Sequence, residues 1–207
     1  MKVAITFSLL FIVLISSCYF EEIGPKKEYS SSSHSTASNS SSSQRIMKQD
    51  SLEGATQDYK VIKMDSQIWT AQNLNEIPKS GDWWCYGGKE APFTERCSAY
   101  GKLYDWEAAK SVCPDGWKLP SKDDYEILSD WDADRLRATS VWDATFGGLR
   151  YEDEIRGYAF LDKEGYWWSS TEHGNRAYYF RLEKAGVKLF KNDAEKTRGF
   201  SVRCIKK

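Results

Sequence analysis

The 207-residue sequence predicts an α+β domain with two main helices, a short-stranded antiparallel sheet and two disulfides. Three observations carry that expectation. Apolar residues recur three apart in the first half of the domain, and strand-like runs alternate with turns in the second half. Four of the five cysteines remain once Cys18 is assigned to a lipid, an even number in a chain that reads as exported.

The N-terminus supplies the export signal. Lys2 precedes an apolar run from Val3 to Ile15, too short for a membrane span and followed by small residues. Ile15-Ser16-Ser17-Cys18 has the form of a lipobox, so residues 1–17 are expected to be removed and Cys18 acylated. Several acyl chains hold a protein to a bilayer where one holds it only marginally. No Asp follows Cys18, where an inner-membrane retention signal would stand. The expected address is the outer membrane, on its periplasmic or cell-surface face.

Residues 18–58 lose almost all apolar content, and Ser30 to Ser43 is nearly all serine. Such a segment cannot bury enough surface to offset its ordering entropy, so it reads as a tether with a reach of about 35 Å. His34 belongs to this tether.

Residues 59–207 make one domain. Tyr59 to Met64 and Gln67 to Ala71 alternate as strands around an Asp65-Ser66 turn. Asp82 to Ala99 reads as irregular. Leu103 to Val112, with Trp106, Ala109 and Val112 three apart, predicts the first main helix. Cys113-Pro114-Asp115-Gly116-Trp117-Lys118-Leu119-Pro120 follows as a turn and an extended segment. Ser121 then caps the second helix, Lys122 to Trp131, with Asp124 at the capping-box position and a stripe of Tyr125, Leu128 and Trp131. Asp134 to Val141 predicts a further short helix. Strands are expected at Gly157 to Leu161, Tyr166 to Thr171, Arg176 to Leu182, Val187 to Phe190 and Phe200 to Ile205.

Four cysteines allow three pairings. Cys85 with Cys97 is favoured because it closes the irregular loop, and Cys113 with Cys204 because it ties the end of the first main helix to the last strand. In the chain-entropy model these closures contribute about 3 and about 4.5 kcal/mol. A structural zinc site competes for the same residues, but the chain has neither Cys-x-x-Cys nor a paired His.

Five motifs, in order, carry a resemblance. They are Gln67-Ile68-Trp69-Thr70-Ala71-Gln72-Asn73-Leu74-Asn75; Tyr100-Gly101-Lys102-Leu103-Tyr104-Asp105-Trp106-Glu107-Ala108-Ala109; the Cys113 to Pro120 turn; Gly165-Tyr166-Trp167-Trp168-Ser169-Ser170-Thr171-Glu172; and Gly199-Phe200-Ser201-Val202-Arg203-Cys204. Together they make residues 59–207 similar to the Fibrobacter succinogenes major paralogous domain. The resemblance implies a C-type-lectin-like fold, distantly similar to the sulfatase-modifying-factor group, and a secreted or surface location. It implies no family-wide activity or catalytic residues.

Function is read against several alternatives. Net charge is −1 with no basic stripe, which argues against nucleic acid as a partner. Copper-dependent oxidation of the sulfatase-modifying kind needs free thiolates, and these cysteines read as bridged. Calcium-dependent sugar binding needs Glu-Pro-Asn or Gln-Pro-Asp and a Trp-Asn-Asp strand, which the chain lacks, so no metal and no cofactor are expected. Glu152, Asp153 and Glu154 read as a solvated charged loop rather than a glycosidase pair. His173 has no second domain histidine and no evident nucleophile partner.

Of the nine tryptophans, Trp83 and Trp84, with Tyr86, lie in the irregular loop around Cys85, where side chains are not obliged to enter the core. They are the candidate ligand-binding residues, since flat rings stack on sugar faces at small entropic cost. The competing reading is that they cover the core beneath the loop. Of Trp167 and Trp168, one is expected inside and the other toward the surface. The sequence therefore predicts a membrane-anchored, non-catalytic recognition module for extracellular polysaccharide or a surface protein. A structural envelope or display lipoprotein is the alternative, and a sulfatase-modifying-factor-like enzyme the third reading.

Overall fold

The computed structural model describes residues 55–90, 92–131, 133–138, 142–186 and 192–207. The expected signal and lipobox and the expected tether up to residue 54 lie outside the described residues, as does the expected strand Val187 to Phe190. The described residues belong to one compact unit. Thr56 already belongs to it, donating its N–H and hydroxyl to Glu76 Oε2 at 3.1 and 2.7 Å.

The chain is mixed helix and strand with small antiparallel sheets. β1 (Val61–Met64) and β2 (Gln67–Thr70) form the expected hairpin, turning through Asp65 at φ +52°. β3 (Trp83–Trp84) pairs with β4 (Leu103–Tyr104), enclosing α1 (Thr94–Tyr100). α2 (Trp106–Ser111) and β5 (Trp117–Lys118) follow, then a 3-10 helix (Asp124–Asp130) and α3 (Ala133–Arg137). β6 (Leu149–Arg150) pairs with β7 (Tyr158–Ala159). β8 (Glu164–His173), β9 (Arg176–Glu183) and β10 (Asn192–Glu195) make a three-stranded meander. β11 (Ile205–Lys206) lies between β2 and β5 in a four-stranded sheet.

Both disulfides pair as favoured, Cys85 with Cys97 and Cys113 with Cys204. Several elements differ from expectation, each for a local reason. The first main helix begins at Trp106, because Leu103 and Tyr104 are taken into β4 and Asp105 caps the helix, accepting from the Ala108 N–H at 2.7 Å. The second is a 3-10 rather than an α-helix. Its Ser121 and Asp124 nevertheless form the reciprocal box, with Asp124 N donating to Ser121 Oγ at 3.0 Å and Ser121 N to Asp124 Oδ2 at 2.8 Å. The segment read as irregular contains α1, pinned by the Cys85–Cys97 bridge.

The last strand is longer in role than in regular pairing. Residues 199–205 run between the sheets as a seam, bridged in turn to Arg150 at Gly199, Tyr104 at Phe200, Trp167 at Ser201 and Trp69 at Ile205. Along it, Leu74 N donates to Val202 O and Thr70 N to Cys204 O, both at 2.9 Å. The seam alternates as an extended chain must. Phe200, Val202 and Cys204 enter one core with Tyr104, Trp106 and Trp168, while Ile205 enters a second with Trp69, Trp142 and Trp167.

β8 lies between those same two cores. Trp167 enters one and Trp168 the other, and both are fully buried. The expectation that one would face solvent is corrected. A strand covered on both sides has no outer face to give it. Among the described residues, no helix is long and apolar enough to cross a membrane.

Candidate functional site

The three sequence candidates come together, on a strand and its turn rather than a loose loop. Trp83 and Trp84 are held by pairing with Tyr104 and Leu103, and Cys85 by its bond to Cys97 and a tight bridge to Gly88. The turn requires Gly87. It has φ +104°, and a Cβ there would lie 2.5 Å from the Phe93 ring. Trp83, Trp84 and Tyr86 are all half-buried, and Trp83 packs against the core. Tyr158 of β7 joins them, its ring 5.3 Å from that of Tyr86.

Cations surround these rings. Lys89 Nζ lies 5.5 Å from both Trp83 and Trp84, Lys102 Nζ 4.9 Å from Trp83, and the Arg150 guanidinium 4.0 Å from Trp84. Arg96 lies 5.6 Å from Tyr86 and 5.4 Å from Phe93. The indoles are therefore not bare faces. A ligand would meet ring edges and N–H donors together, which suits a hydroxylated surface.

Lys89 is paired with Asp82 at 3.0 Å. Arg96 and Arg150 donate to the backbone carbonyls of Tyr86 and Tyr151, at 3.1 and 2.9 Å, and have no carboxylate partner among the described residues. Lys102 is buried and donates to Asn75 Oδ1 at 2.6 Å. Burial lowers its pKa, with Glu76 acting in the opposite direction.

The motif residues do different work. Asn73, from the first motif, donates through Nδ2 to Tyr100 O at 2.9 Å, Thr145 O at 3.1 Å and Ser201 Oγ at 3.2 Å. Its Oδ1 accepts from Trp167 Nε1 at 2.8 Å and Arg203 Nε at 3.2 Å. Arg203 is fully buried, donates to the carbonyls of Trp142 and Asp143, and lies 4.3 Å from the Trp142 ring. Burial pushes its guanidinium down to about 9, opposed by Asp143, so it stays charged at neutral pH. These polar motif residues are spent on holding the seam to its neighbours.

The remaining candidates stand apart from the aromatic cluster. Arg156 pairs with Glu152 and Asp153, and Arg198 with Glu152 at 2.9 Å. Slight burial raises the Glu152 pKa, but its own backbone N–H, Arg156 and Arg198 bring it below the usual value. The backbone N–H and guanidinium of Arg156 hold Asp153 down. Neither carboxyl is poised as a general acid, which needs a raised pKa. His173 bonds Asp193 through Nδ1 at 2.5 Å and stacks on Tyr178 at 5.4 Å, at the end of the β8–β9 hairpin. Among the described residues no group of three or more His, Cys, Asp and Glu could hold a metal.

Sequence reasoning missed the cationic partners of the cluster. Lys102 and Arg150 reach it across β4 and β6, through pairings that a single sequence does not display. No family model matches the chain, and no curated protein or solved structure is significantly similar to it.

Proposed function

We propose that the chain is a bacterial outer-membrane lipoprotein, acylated at Cys18 and tethered through the Ser-rich segment that follows it. Its folded part is a C-type-lectin-like domain of the Fibrobacter succinogenes major paralogous kind. It acts as a non-catalytic recognition module for extracellular polysaccharide. The observation that supports this best is the cluster of Trp83, Trp84 and Tyr86, braced by a disulfide and rimmed by Lys89, Arg96 and Arg150. Aromatic rings with adjacent donors, held on a rigid base, bind a polyhydroxylated chain at small ordering cost. The same Trp, Tyr and Arg content also suits a protein hot spot, which keeps a surface protein as the second reading.

Affinity electrophoresis of the full chain through glycan-containing gels tests the polysaccharide reading. Retardation by a bound glycan is expected to fall at least about tenfold in Trp83→Ala/Trp84→Ala, the loss of about 1.4 kcal/mol. Equal retardation of wild type and variant sinks it. Anchoring is checked separately: Cys18→Ser is expected to leave the exported chain soluble, and its persistence in the membrane fraction would contradict lipidation.

A further inference from the structure

A concavity lies beside α1, lined by residues 97–100 of that helix. It has a volume of about 200 Å³, and its polar walls are Gln57 and Asp58 ahead of β1, Gln72 and Asn75 after β2, and Ser98 and Tyr100 of α1. The fold fixes the amides one end at a time. Lys60 N donates to Gln72 Oε1 at 2.9 Å, and Lys102 Nζ to Asn75 Oδ1 at 2.6 Å. Gln57 Nε2 donates to the Tyr59 hydroxyl, which also accepts from Asn75 N at 2.7 Å.

What is left over is a mixed set of hydrogen-bonding groups. The Gln72 and Asn75 amide nitrogens, the Gln57 carbonyl and the Ser98 hydroxyl have no protein partner among the described residues. Residues with donors and acceptors thus line one small space, and Tyr100 is part of its wall. A sugar hydroxyl both donates and accepts, and a pyranose also offers an apolar face to an aromatic. Among the described residues no Lys or Arg lines the space, and Asp58 is the one carboxylate there. An anionic sugar would meet a negative charge without a counter-ion, and a calcium ion would find one carboxylate where six to eight oxygens are wanted. The volume is below the roughly 300–1,000 Å³ of pockets for larger ligands, which limits the occupant to a single ring.

We infer that this cleft is a binding site for one uncharged sugar residue, separate from the aromatic cluster and selective for a chain end or a branch. It shares α1 with that cluster. Arg96 points to the rings and Cys97, in the cleft wall, is bonded to Cys85 between Trp84 and Tyr86. The inference does not depend on the aromatic cluster binding anything.

The test is saturation-transfer NMR and calorimetry on the oxidised full chain with methyl glycosides of glucose, galactose, mannose and N-acetylglucosamine, alongside glucuronic acid. At least one neutral glycoside is expected to bind saturably at roughly millimolar affinity, and glucuronic acid more weakly than methyl glucoside. Ser98→Trp fills the mouth from an exposed helix position and is expected to weaken binding at least tenfold. Gln57→Ala, also at an exposed residue, is expected to weaken it severalfold. Failure of all four glycosides to bind overturns the inference, and so does undiminished binding by both variants.

Discussion

At the scale of single residues, Asn73 is the position on which most depends. Its side chain is the shared partner of β8, the seam, α1 and the segment before β6, and it accepts from the buried Trp167 indole. Asn73→Ala strands that N–H and takes one acceptor from a fully buried guanidinium. A buried donor or charge without its partner is costly. The variant is expected to lose about 3–5 kcal/mol in urea unfolding; a loss under about 1 kcal/mol would show that the hub is replaceable. Asn73 was legible only as part of a motif. Nothing in its neighbours in sequence announces that its partners lie 27 to 130 residues away.

At the scale of elements, local chemistry was legible and long-range pairing was not. The Asp65-Ser66 hairpin and the Ser121–Asp124 box follow from residue types at close spacing, and the two disulfides found are the favoured one of three possible pairings. α1 was hidden because Thr94-Glu95-Arg96-Cys97-Ser98-Ala99-Tyr100 carries one buried side chain and no apolar stripe; its place is fixed by a covalent bond. Leu103 and Tyr104 fit a helical period yet pair as β4, tertiary contact overriding spacing. The Ser121–Asp124 box carries a pH prediction. Burial disfavours the Asp124 carboxylate, but the Ser121 N–H, the Lys118 ammonium and the Ser121 hydroxyl outweigh it and lower its pKa from the usual 3.8. A carboxyl depressed in the folded state stabilises above its unfolded pKa, and that contribution fades as pH falls through the folded one. Acid unfolding should therefore cost the wild type more stability below about pH 4 than it costs Asp124→Asn. Parallel pH profiles for the two proteins would contradict this.

At the scale of the whole molecule, the C-terminal seam divides the labour. Residues 199–205 tie the sheets together, the Cys113–Cys204 bridge closes that assembly across 91 residues, and the motifs that carry the family resemblance are consumed in doing so. That is why those motifs speak of fold and say little of ligand. On the proposed reading, ligand chemistry falls to β3, the turn after it and the surfaces around α1. There the sequence singled out Trp83, Trp84 and Tyr86, and the rings prove to be already attended by the protein's own cations. The measurement that bears most directly on the account is retention of the oxidised full chain on insoluble polysaccharides, with and without EDTA, beside Trp83→Ala/Trp84→Ala. The account predicts saturable retention that EDTA leaves unchanged and the double variant loses. Retention abolished by EDTA would make a metal the mediator, and no retention on any polysaccharide would contradict the recognition of sugar chains and turn attention to a protein partner or a display scaffold.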